Sequence, residues 1–178
     1  MSGPALALMA DPAALHTQRW ARAFRDCGYA VQILSAGTQT AVDSIPVIPI
    51  LDATRDPGTG ALARSWANLQ EYGRVRRLRE RFDLVHVHYL SCGRHLALLK
   101  GLPRLLITPW GSDILPRLSP LSPHQLHWGR VALHAAQSVC ALSHYMGGEL
   151  QRIYGVAPSR IHVIPWGADT TLFDPARV

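Results

Sequence analysis

Lysine is nearly absent from this 178-residue chain: 17 Arg and one Lys stand against 12 acidic residues, for a net charge of +6. A basic balance suits nucleic acid, anionic lipid or a phosphorylated substrate, and charge alone does not choose among them. Cysteine is scarce too. Cys27, Cys92 and Cys140 are isolated and odd in number, which excludes a disulfide framework and a zinc ribbon. Buried free thiols in a reduced cytosolic compartment are the expectation. No apolar run approaches the roughly 20 residues of a membrane span. The short run Ala5 to Ala10 lacks the basic lead and length of a signal peptide, so it is taken as a first strand.

Other absences exclude chemistries. The stretch Ala10-Asp11-Pro12-Ala13-Ala14-Leu15 contains no glycine, whereas a nicotinamide or flavin site needs G-x-G-x-x-G for pyrophosphate to approach the backbone. No G-x-S-x-G elbow surrounds Ser112 or Ser143, which removes the serine-hydrolase reading. No basic motif interleaved with aromatics is present, so nucleic acid is not an expected partner. Internal repeats and low-complexity segments are missing as well.

What is present is alternation of strand and helix. Ala5 to Met9 is apolar; Asp11 and Pro12 are placed as cap and first turn of a helix carrying Leu15, Trp20, Ala23, Phe24 and Cys27, with Gly28 as its stop. Strands are expected at Ala30 to Leu34 and Ile45 to Ile50, the latter at a sheet edge because of Pro46 and Pro49. A loop over Ala53 to Gly60 precedes a helix over Leu62 to Phe82, a strand over Leu84 to His88 and a helix over Cys92 to Lys100. Strands at Arg104 to Thr108, Ser138 to Leu142 and Ile161 to Ile164 follow, the last expected to be buried, with helices at Gln125 to Ala136 and His144 to Tyr154. The fold class is α/β, a Rossmann-like parallel sheet with helices on both faces.

Several clusters fall where such sheets bind ligands, at the carboxyl edge. His16 and Arg19 open the first helix in His16-Thr17-Gln18-Arg19-Trp20; they either recognise hydroxyl or phosphate groups or are solvated helix residues beside a core Trp20. His86 and His88, two apart on a strand, point to one face, and no nearby carboxylate or cysteine completes a metal site. Thr108-Pro109-Trp110-Gly111-Ser112-Asp113 runs from a strand into a tight turn, where Trp110 could stack on a sugar ring and Asp113 accept a hydroxyl or cap a following helix. Ser143 is placed as the cap of the helix it precedes. Arg74, Arg76, Arg77, Arg79 and Arg81 form either a solvated face or a membrane-surface contact.

The closing segment Ile164-Pro165-Trp166-Gly167-Ala168-Asp169, followed by Phe173-Asp174-Pro175, resembles the I-P-N-G-V-D…F-x-P signature that ends the first domain of family 4 GT-B glycosyltransferases. H-T-Q-R-W and T-P-W-G-S-D resemble its subsets in the same order. Two departures stand out: the family's first-loop glycine pair is missing, and Trp110 replaces its usual histidine. The resemblance implies residues 1–178 as a single GT-B half, without the nucleotide-sugar-binding domain and its E-x7-E glutamates. It implies retaining transfer of a sugar from a nucleotide diphosphate sugar to an acceptor hydroxyl, without a metal or other cofactor, and no turnover by this half alone. Asp113 is then the candidate catalytic residue, and His16, Arg19, His88, Trp110, Gly111, Ser112, Ser143, Gly167 and Asp169 line the acceptor cleft. Partners implied are a sugar acceptor, lipid-linked in many relatives, and a separate donor-binding domain, in the cytoplasm or at the inner membrane face. A non-catalytic module binding carbohydrate or protein through the same cleft edge is the alternative. An open cleft face with Trp110 and Trp166 near it would favour self-association.

Overall fold

Ala5–Met9 (β1) is the strand from which the sheet is built, because its side chains alternate between two apolar cores. Leu6 and Leu8 enter one core, Ala7 the other. The computed structural model describes residues 3–35, 40–49, 77, 81–90 and 104–167. Within them the strands are β1, Ala30–Ser35 (β2), Val47–Pro49 (β3), Leu84–His88 (β4), Leu105–Thr108 (β5), Ser138–Ala141 (β6) and Ile161–Val163 (β7). They form one seven-stranded sheet of order β3-β2-β1-β4-β5-β6-β7, with every pairing parallel. The chain walks outward from β1 to β3, then crosses to the other side of β1 for β4. That reversal puts a topological switch point between β1 and β4, where open sheets leave a crevice beyond their carboxyl ends.

Helices cover both faces. Leu15–Asp26 (α1) lays Ala21, Trp20 and Phe24 on the core of Leu6, Leu8, Val31 and Ile33. Pro123–Ala135 (α2) and His144–Tyr154 (α3) bury Ala132, Leu133, Met146, Leu150 and Tyr154 against Leu105, Ile107 and Val139. Each fully buried aliphatic side chain contributes about 1.5–3 kcal/mol relative to exposure. The helix ends follow local chemistry. Ser122 and Gln125 make a reciprocal capping box on α2, and Gly155 at φ 70° closes α3 in the left-handed conformation.

Some expectations are corrected. α1 begins at Leu15 with Ala14 as cap, not at Asp11. The Asp11 carboxylate accepts the Ala13 N–H at 3.0 Å and its carbonyl accepts the Ala14 N–H at 3.2 Å. This turn spends the cap one step before the helix. β7 is a half-buried edge strand rather than a buried one, because nothing among the described residues pairs beyond it, and His162 and Ile164 are exposed. Edge placement of the proline-bearing β3 agrees with its sequence. Cys27 is exposed rather than buried, lying just past the last turn of α1, while Cys140 is buried. The expected loop at 53–60, the helix over 92–100, most of the helix over 62–82, Cys92, and Arg74, Arg76 and Arg79 lie outside the described residues. Among the described residues no helix is long and apolar enough to cross a membrane.

Candidate functional site

The carboxyl ends of β4 and β5 are tied together by one side chain. Asp113 accepts the Leu90 N–H on Oδ2 at 2.7 Å, and the Trp110 and Gly111 N–H groups on Oδ1 at 3.0 and 2.8 Å. Burial raises its carboxyl pKa above the ordinary value, while these same N–H bonds pull the other way. No helix follows directly; the Gly111 carbonyl accepts the Ile114 and Leu115 N–H groups in a tight turn. Asp113 therefore anchors a turn rather than capping a helix. Gly111 at φ 124° lies where a side chain is strained, and an added Cβ would meet Leu118 at 3.2 Å.

That anchoring fixes an aromatic wall. Trp110 makes edge contacts with His16, His88, Tyr89 and Trp166, at centroid distances of 5.6, 6.1, 5.7 and 5.5 Å. His16 lies over Trp166 at 4.0 Å, tilted by 32°. Trp20 meets His88 at 5.6 Å, edge-on, and His86 at 5.7 Å. The first turn of α1, the end of β4, the turn after β5 and the segment after β7 thus converge on one cluster. A cleft of about 300 Å³ opens between α1 and that last segment, lined by His16, Arg19, Trp20, Ala23 and Ile164 to Gly167.

The polar groups here differ in how they are satisfied. His86 shares a 2.7 Å hydrogen bond between Nε2 and the Thr108 hydroxyl. His88, one pleat further on and 4.3 Å from the His86 ring, has no partner on either nitrogen among the described residues. The Nε1 atoms of Trp110 and Trp166 are likewise buried without an acceptor among the described residues. Burial, then the neighbouring His16, lowers the His88 pKa to about 4, so this ring is neutral at physiological pH. Burial, followed by the His88 charge, also holds His86 well below the ordinary range. At the rim, the exposed Tyr89 adopts φ 62° and its hydroxyl lies 3.3 Å from Ser112 Oγ.

Of the residues expected from sequence, His16, Arg19, His88, Trp110, Gly111, Ser112, Asp113 and Gly167 all lie around this edge. Ser143 caps α3 by accepting the Met146 N–H at 3.1 Å. Asp169 lies outside the described residues. No group of three or more His, Cys, Asp or Glu placed to hold a metal occurs among the described residues. Sequence reasoning passed over Tyr89 and gave Trp20 a place only in the core. Tyr89 directly follows the H-x-H strand end, and that position was its available signal. Trp20 does both tasks, packing on Phe24 at 5.3 Å and lining the cleft.

Comparison with known proteins agrees with this architecture. Alpha-maltose-1-phosphate synthase of Mycolicibacterium smegmatis is 36% identical over 109 residues, 54% of this chain and 27% of that enzyme. A glycosyltransferase structure from Rickettsia africae superposes with a TM-score of 0.66 at 15% identity, covering 100% of this chain and 47% of that one. Anabaena HepE in complex with UDP and glucose gives a TM-score of 0.64 at 18% identity, covering 97% and 47%. The chain thus spans less than half the length of these relatives, and the two structures share its fold. The family description of Glycosyltransferase Family 4 matches residues 13–172, nearly the whole chain, and with the parallel sheet and its carboxyl-edge cleft this establishes that the chain belongs to that family.

Proposed function

We propose that this chain is the acceptor-side half of a retaining glycosyltransferase. It holds a sugar acceptor while a donor-binding domain supplies a nucleotide diphosphate sugar, with no metal ion taking part. The observation that carries the reading is the convergence of His16, Trp110 and Trp166 at the switch-point edge. Three rings from separate elements form a wall suited to the apolar face of a sugar. The cleft beside it adds Arg19 and His16 as polar handles.

Retaining transfer passes through an oxocarbenium-like state, so the protein must stabilise the departing diphosphate and place the acceptor oxygen. This half does the second task. Asp113 is assigned a positioning role, because its oxygens hold the backbone of Leu90, Trp110 and Gly111 and thereby aim the Trp110 ring. Tyr89 and Ser112 supply hydroxyls at the rim.

The test is sugar transfer from a panel of nucleotide diphosphate sugars, with this chain alone and with a donor-binding domain supplied separately or in fusion. Activity is expected only in the combined form, and Trp110→Ala is expected to raise KM for the acceptor. Robust turnover by the chain alone, or a combined form insensitive to Trp110→Ala, overturns the proposal.

A further inference from the structure

We draw no further inference here: the strongest candidate, the open cleft of about 320 Å³ along the exposed face of α2 lined by His127, Arg130 and His134, carries nothing, because Arg130 and His134 already donate to the Ile153 and Tyr154 carbonyls at the end of α3 and nothing in the structure shows what covers it.

Discussion

Asp113 Oδ2 accepts the Leu90 main-chain N–H at 2.7 Å, a bond across 23 residues of sequence that ties the end of β4 to the turn after β5. Replacing Asp113 by Ala orphans three N–H groups, counting those of Trp110 and Gly111. The expected loss is roughly 2–4 kcal/mol, since each partly buried N–H left unpaired costs about 1–3 kcal/mol and relaxation recovers some of it. Asp113→Asn keeps one acceptor oxygen but turns an NH₂ toward a donor, and should fall between Ala and the wild type. Urea unfolding of the three proteins measures this. An alanine variant as stable as the wild type would show that the turn holds without its carboxylate.

The stability of the domain should decline in mild acid through His88. Its pKa falls from 6.5 to about 4 in the folded state, first through burial and then through His16. Between those values the unfolded chain binds the proton and the folded one does not. Stability is therefore complete above pH 6.5 and is lost as pH falls toward 4, by at most ~3 kcal/mol from this group. His86, packed beside it and lowered in the same direction, adds to the slope. Urea midpoints at pH 7.5 and 4.5 should separate more for the wild type than for His88→Phe. Equal separations would mean that His88 titrates in its ordinary range.

Thr108→Val removes the partner of the other histidine, together with the hydroxyl's contact to the Cys140 thiol. The substitution keeps the shape but removes the hydroxyl 2.7 Å from His86 Nε2, leaving a second unpartnered nitrogen on a ring whose Nδ1 already has none. A cost of about 1–2 kcal/mol is expected by thermal or urea unfolding. A neutral outcome would indicate that the His86 ring turns to another acceptor.

Periodicity and punctuation made most of the sheet legible. Gly155 was recognisable as the stop of α3 because only a left-handed residue closes that helix well, and Pro46 and Pro49 marked an edge because proline cannot donate to a ladder. The Asp11-Pro12 pair misled, since a cap residue can equally close a free-standing turn, and which one forms depends on where α1 docks on the sheet. The burial of β7 was overestimated because an apolar run looks the same at a sheet edge as at its centre. At the site, His16, His88 and Trp110 were legible from their place beside strand ends. Trp166 was expected beside Trp110 at the cleft face, but the stacking of His16 over it was not, because that depends on the path the chain takes after β7. The use of Asp113 was hidden for a similar reason: its partner Leu90 belongs to another strand end.

Trp166 gives the most direct check on the wall itself. It lies 4.0 Å from His16 and 5.5 Å from Trp110, and it lines the cleft with Pro165 and Gly167, yet it is only half-buried and stands at the edge of the sheet. Trp166→Ala therefore removes a ring-stacking surface while leaving both apolar cores untouched. The melting temperature should change little. Affinity for a sugar that binds the wild type should fall roughly tenfold, because an aromatic contact of this kind carries about 0.5–1.5 kcal/mol beyond its buried area. Trp166→Phe keeps a ring face and should bind more tightly than Ala. Calorimetric titration of the three proteins with the same sugar orders them. If Ala and Phe bind as the wild type does, Trp166 is a packing residue for His16 and the acceptor wall is confined to Trp110.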